Sequence, residues 1–292
     1  MQTIEETAKE TVQQAWNKRP LIISGPCSAE TEAQLVETAQ RLANTGKVDV
    51  LRAGIWKPRT KPGLFEGIGA KGLPWLQHAQ RLTGLPTTVE VATGKQVEDA
   101  LTFDVNILWI GARTTVNPFS VQEVADALRG VDIPVMIKNP INPDLELWSG
   151  AVERVARAGV KQIGLIHRGF SSYGNTEFRN APMWHLAIEM KRRNPEMMII
   201  NDPSHICGRR DILLDVAQKA IDGFPAVLPN RPDIAARALN TNSPQLVDTI
   251  FTNGQLNQKI GGRDTLVARY GFTSQNVDSF QFLKGQNPNT HN

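Results

Sequence analysis

Cysteine is nearly absent from this 292-residue chain: Cys27 and Cys207 are the only two. Two thiols cannot form a disulfide framework. They read as core thiols or as a reactive or metal-binding pair. Long hydrophobic runs are missing too, and none reaches the ~20 residues of a membrane-spanning helix. The first residues, MQTIEETAKETVQQAWNKRP, form a polar helix pattern without the apolar core of a signal peptide, so a cytoplasmic location is expected. Charge of one sign is not in large excess, since 32 Lys and Arg face 29 Asp and Glu for a net +3. The basic residues are dispersed, which argues against nucleic acid as a partner. No G-x-G-x-x-G opens a helix directly after the first apolar run, which argues against a doubly wound dinucleotide-binding sheet. No internal repeat is present.

What the chain does contain is one sustained alternation. Hydrophobic residues make up 40%, enough for a sizeable core. Short apolar runs recur near 20–24, 48–51, 86–91, 107–111, 133–138, 160–166, 197–201 and, less clearly, 224–228. Segments with helical spacing separate them, among them Leu73–Thr83, Lys95–Phe103, Leu145–Ala158 and Arg209–Ile221. Eight strands alternating with helices predict an α/β chain folded as a (β/α)8 TIM barrel. Residues 1–19 read as an N-terminal helical extension, 20–254 as the barrel and 255–292 as a poorly ordered tail.

In such a barrel the functional groups stand at the C-terminal ends of the strands. The first strand ends in Ser24-Gly25-Pro26-Cys27-Ser28, and the second in Arg52 and the loop that carries Lys57, Arg59, Thr60 and Lys61. The third ends in Glu90, the fourth in Arg113, the fifth in Lys138, the sixth in His167-Arg168-Gly169 and the seventh in Asp202-Pro203-Ser204-His205. Any one of these is ordinary, because strands end where solvent begins, and a lone basic loop is usually a solvated one. Seven in succession at one face are hard to ascribe to accident. Cations converging there repel one another unless the ligand carries several negative charges, such as phosphate plus carboxylate. Cys27 and His205 could also pair as soft ligands of a divalent transition metal, although two such residues alone are a weak signal. A Cys–His nucleophilic pair and a Schiff-base aldolase using Lys138 are further readings of the same residues.

Taken together, GPCSAET (25–31), RAGIWKPRT (52–60), WIGARTT (109–115), IKNP (137–140), IHRGF (166–170) and DPSH (202–205) resemble the class I 3-deoxy-D-arabino-heptulosonate 7-phosphate (DAHP) synthases. The nearest likeness is to the short bacterial group related to the chorismate-mutase fusions. The resemblance implies a transferase that condenses phosphoenolpyruvate with erythrose 4-phosphate, at the head of the shikimate pathway to the aromatic amino acids. It implies that Arg52, Lys57, Arg113, Lys138 and Arg168, with Glu90 beside them, bind phosphoenolpyruvate. Arg59 and Thr60 would then hold the sugar phosphate, and Lys57 would be the catalytic acid. Cys27 and His205 would bind a divalent ion (Mn2+, Fe2+, Co2+ or Zn2+), and the chain would form a homo-oligomer, a dimer or a tetramer.

The pattern departs from the family after residue 222. The family's strand-eight Glu and the Asp that follows it complete the metal site. An ungapped reading puts Asn230 and Thr241 in those places, with Asp233 the nearest carboxylate. Pro225 and Pro229 fall within the strand-eight candidate, where a closed barrel has no free edge to tolerate them. The alternative this raises is a catalytically weak or silent homologue that binds phosphorylated metabolites. The stretch after Phe251 is too short and too polar for a chorismate-mutase domain.

Overall fold

The computed structural model describes residues 4–18, 20–59, 61–174, 177–221 and 249–251. Eight parallel strands close into a barrel in sequence order. They are β1 (Leu21–Ser24), β2 (Val50–Ala53), β3 (Thr87–Val91), β4 (Ile107–Ile110), β5 (Val135–Lys138), β6 (Ile163–His167), β7 (Met198–Asn201) and β8 (Thr249–Phe251). The helices are α1 (Ile4–Asn17), α2 (Glu32–Ala43), α3 (Leu73–Thr83), α4 (Gly94–Thr102), α5 (Ala112–Thr115), α6 (Pro118–Ala127), α7 (Leu145–Arg157), α8 (Trp184–Arg193), α9 (Pro203–Cys207) and α10 (Leu213–Ile221).

Local chemistry sets several helix starts. The side chains of Thr31, Thr93, Asn117 and Asp144 accept backbone N–H bonds at the first turns of α2, α4, α6 and α7. The strands obey the period of two. Their inward residues Leu21, Ile23, Val50, Ile107, Trp109, Met136, Ile166, Met198 and Ile200 form one cluster inside the barrel. Their outward residues, such as Leu51, Val89, Leu108, Ile137, Leu165 and Ile199, pack against Leu35, Leu76, Val97, Val124 and Trp148 of the helices.

Trp16 of α1, 7% exposed, joins the inner cluster rather than the outer one. Its indole reaches Gly164 of β6, where an added Cβ would lie 3.1 Å from the ring. Gln162 donates to Gln13 of the same helix at 2.7 Å. The N-terminal helix therefore stoppers the barrel at the end opposite the C-terminal strand tips.

Two expectations are corrected. The strand between β7 and β1 is Thr249–Phe251, paired in parallel with both neighbours, and not the run near 224–228. Pro225 and Pro229 cannot donate to a ladder, whereas Thr-Ile-Phe is a β-branched and aromatic run suited to it. Residues 222–248 and 252–292, including Asn230, Asp233, Thr241 and the expected tail, lie outside the described residues. The helix expected over 209–221 starts later, as α10 at Leu213, and the short helix α9 precedes it. Gly208, at φ +66°, ends α9 in the left-handed conformation.

Candidate active site

The inner face of each strand carries its alternation to the mouth. Val50 leads to Arg52, Met136 to Lys138, Ile166 to Arg168 and Ile200 to Asp202, each two residues on. Glu90 on β3 lies beside Trp109 on β4 in the ladder register. The indole is fully buried, and its Nε1–H donates to Glu90 Oε2 at 2.9 Å. The Arg52 guanidinium lies 5.0 Å from the centre of the Trp109 ring and the Lys138 ammonium 5.8 Å. Two cations from different strands thus share one aromatic platform. At Gly111 an added Cβ would collide with the Glu90 carboxylate, so glycine is what gives that carboxylate its place.

Asp202 is the second carboxylate of the mouth and is wholly buried. Its Oδ2 accepts from Lys138 Nζ at 3.1 Å and lies 2.7 Å from His205 Nδ1. Its Oδ1 caps α9 by accepting the His205 backbone N–H at 3.2 Å. Burial opposes the charge of Asp202, but His205 and Lys138 outweigh it and hold the carboxyl well below its usual range. Burial likewise pushes the His205 imidazole down to about 3, so the ring is neutral near pH 7. The carboxylate contact assigns the proton to Nδ1 and leaves Nε2 as the lone-pair nitrogen. The Lys138–Asp202 contact is buried on both sides, with the two side chains 5% and 0% exposed.

On the other side of the mouth, Lys57 Nζ donates to the Cys27 carbonyl and lies 3.6 Å from Cys27 Sγ. Gly54 makes this approach possible, because a side chain there would collide with both partners. Burial alone would push the Cys27 thiol up, but Lys57, Arg52 and Lys138 together pull it below its ordinary value. Burial lowers the pKa of Lys57, and the Cys27 thiol works against that shift. Arg168 is 7% exposed, and burial lowers its guanidinium to about 10, still charged at neutral pH. The charges of Asp202, Arg179, Arg113 and Glu90 all act on it.

The expected residues thus divide. Cys27, Arg52, Lys57, Glu90, Lys138, Arg168 and His205 form one interacting cluster, and Arg113 on α5 faces it from an exposed position. Arg59 stands apart on the exposed rim, where its Nε donates to the Phe65 carbonyl at 2.9 Å. Thr60, expected beside it, lies outside the described residues. His167 faces away from the mouth, into the helix layer, with its ring 4.9 Å from that of Trp184. Sequence reasoning placed Asp202 at a strand end without giving it a role, and missed Trp109 and two asparagines. Asn139 Oδ1 accepts the Arg168 backbone N–H at 2.7 Å, and Asn180 Oδ1 accepts from Arg168 Nη1 at 2.9 Å. Asp202 could have been found as the helix-capping residue of DPSH; for Asn180 no sequence signal was at hand.

As donors for a metal ion, Cys27 and His205 have the right chemistry: a thiol pulled toward its ionised form and a neutral imidazole. Their number falls short. Among the described residues no group of three or more His, Cys, Asp or Glu could hold an ion. The two positions expected to add carboxylates are outside those residues.

Residues 3–225 match the family model described as the DAHP synthetase I family. A phospho-2-dehydro-3-deoxyheptonate aldolase from Thermotoga maritima is 34% identical over 200 residues, which are 68% of this chain and 57% of that protein. The chain therefore spans little more than half the length of this curated relative. The crystal structure of a DAHP synthase from Thermotoga maritima superposes with a TM-score of 0.65 at 25% identity, covering 92% of this chain and 69% of the other. A truncated form of the Thermotoga maritima enzyme gives 0.63 at 24% identity, covering 92% and 86%, a likeness of fold.

Proposed function

From the premise that this chain belongs to the DAHP synthetase I family, we propose that it joins phosphoenolpyruvate to erythrose 4-phosphate, giving DAHP and inorganic phosphate. The observation that carries the proposal is the mouth itself. Arg52, Lys57, Lys138 and Arg168, from three strands and the loops that follow them, surround one site backed by Trp109, Glu90 and Asp202. Such a group suits a ligand with both a phosphate and a carboxylate.

In this reading Arg52, Lys138, Arg168 and the exposed Arg113 bind phosphoenolpyruvate, and Arg59 with Thr60 receives the sugar phosphate. The double bond of phosphoenolpyruvate supplies the electron pair of the new carbon–carbon bond to the aldehyde carbon. Lys57 delivers a proton to the resulting alkoxide. Water adds to the cationic carbon, and the phosphate leaves with the bridging oxygen. Cys27 and His205 would hold a divalent ion (Mn2+, Fe2+, Co2+ or Zn2+), with further ligands from outside the described residues. When bound, such an ion would supply Lewis-acid chemistry toward the aldehyde. Asp202 keeps the His205 proton on Nδ1, so that Nε2 presents its lone pair. The protein is further proposed to work in the cytoplasm as a homo-oligomer.

The test is DAHP and phosphate release from the two substrates, with added Mn2+ and with EDTA, for the unmodified chain and for Lys57→Ala. Turnover that needs both substrates and falls at least a hundredfold in the variant supports the assignment. Near-normal turnover by Lys57→Ala would remove the role given to its loop. No product under any metal condition would overturn the activity.

A further inference from the structure

Residues 178–182 run as a strap between the turn after β6 and the short helix α9. On one edge Phe170 and Ala181 exchange backbone bonds of 2.8 and 2.7 Å. On the other, the Asn180 N–H donates to the Ile206 carbonyl at 3.1 Å and the Arg179 N–H to the Cys207 carbonyl at 3.2 Å. Gly169, at φ +76°, lets the strap lie directly on the turn, since a Cβ there would come within 2.7 Å of the Asn180 carbonyl. The Asn180 side chain, in a residue 7% exposed, works in both directions. Its Oδ1 accepts from Arg168 Nη1 at 2.9 Å, and its Nδ2 donates to the His205 carbonyl at 2.5 Å. A guanidinium only donates and a carbonyl only accepts, so the two partners fix which way the amide faces.

We propose that Asn180 is a positioning residue. It holds the Arg168 guanidinium and the helix that carries His205 in one frame, so that the anion-binding cation and the imidazole keep a fixed separation. The inference rests on the reading that Arg168 binds phosphoenolpyruvate. Asn139 fixes the Arg168 main chain, accepting its N–H and donating to the Gly169 carbonyl at 2.8 Å. Asn180 alone of the two asparagines grips the guanidinium. A free arginine side chain has rotamer freedom that a ligand must otherwise remove on binding. Asn180 removes part of it in advance.

The experiment is calorimetric titration with phosphoenolpyruvate alone, so that no turnover occurs. The proteins are the unmodified chain, Asn180→Leu, the milder Asn180→Ser, Arg168→Ala and the Asn180→Leu/Arg168→Ala double variant. Asn180→Leu is expected to weaken binding about tenfold when Arg168 is present and less than twofold in the Arg168→Ala background. Asn180→Ser should show the same direction with a smaller loss, and it carries the test if the leucine variant does not fold. Equal losses in both backgrounds, or no loss from either substitution, overturn the role of Asn180. Absence of binding by the unmodified chain overturns the phosphoenolpyruvate assignment, and this inference falls with it.

Discussion

Replacing Asp202 by asparagine should destabilise the fold, although it removes no volume and keeps the α9 cap. The substituted side chain retains Oδ1 for the His205 N–H, now 3.2 Å away. What disappears is the charge facing Lys138 at 3.1 Å, in a pair whose side chains are 5% and 0% exposed. With an effective dielectric of ~20, two unit charges at that distance attract by about 5 kcal/mol. Breaking such a pair from one side typically costs about 3–5 kcal/mol, because the other charge remains buried. Arg52 and Arg168 also lose the negative charge that favours their protonated forms. The expected loss is therefore about 3–5 kcal/mol, or roughly 10 °C in Tm for a domain of this size. Urea unfolding, followed by far-UV circular dichroism, reads it as a lower midpoint at unchanged slope. The double variant Asp202→Asn/Lys138→Met should recover most of the loss, since both charges are then gone. A single-variant loss below about 1 kcal/mol would refute the reasoning, as would a double variant no more stable than the single one.

Three further outcomes are expected. Trp109→Phe keeps an aromatic face under Arg52 and Lys138 but removes the donor to Glu90, and should weaken phosphoenolpyruvate binding roughly tenfold by calorimetry, the value of one hydrogen bond to a charged group; unchanged affinity would dismiss the platform. His167 has a pKa pushed by burial from 6.5 down to about 4, so the unfolded chain binds the extra proton between those values and stability falls as pH drops through that window. The shift is worth roughly 3 kcal/mol at ~1.4 kcal/mol per unit, and His167→Gln should flatten the acid limb of the stability curve by that amount; an equally steep limb in the variant would count against it. Trp16→Ala should cost about 3–5 kcal/mol of stability and leave phosphoenolpyruvate affinity intact; a change in affinity would mean that the stopper of the barrel reaches the mouth.

Much of this architecture was legible from periodicity. The first seven strands fall where the apolar runs are, because parallel barrel strands are buried on both faces. The charged residues at their ends stand out because they interrupt those runs. The eighth strand was not legible, since the candidate near 224–228 carries Pro225 and Pro229 while the three-residue Thr249–Phe251 sits in a polar stretch. Trp109 was hidden because an indole within Ile-Leu-Trp-Ile is indistinguishable from core until a neighbouring carboxylate is known to face it. Asn180 was hidden for a different reason. Its two partners lie 12 and 25 positions away, on a turn and a helix that only the closed barrel brings together.

The sequence suggested cations that repel one another when they converge, with Glu90 and Asp202 also at strand ends. The structure shows how the two carboxylates are held there. Glu90 and Asp202 stand among the cations, one held by Trp109 and the other by Lys138 and His205. Five cations, Arg52, Lys57, Arg113, Lys138 and Arg168, then face two carboxylates, an excess of three positive charges. An excess of that size leaves the empty mouth tolerable, because Asp202 is fully buried beside Lys138, and Arg52 and Arg168 each lie near opposite charges. It also fits the proposed substrate, whose phosphate and carboxylate together bring close to three negative charges. A neutral sugar would leave the excess uncompensated in a partly desolvated site. A single carboxylate would balance only one of the three charges. The charge count is in keeping with the proposed phosphoenolpyruvate ligand, and Glu90 and Asp202 offset part of the repulsion among the cations when the mouth is empty.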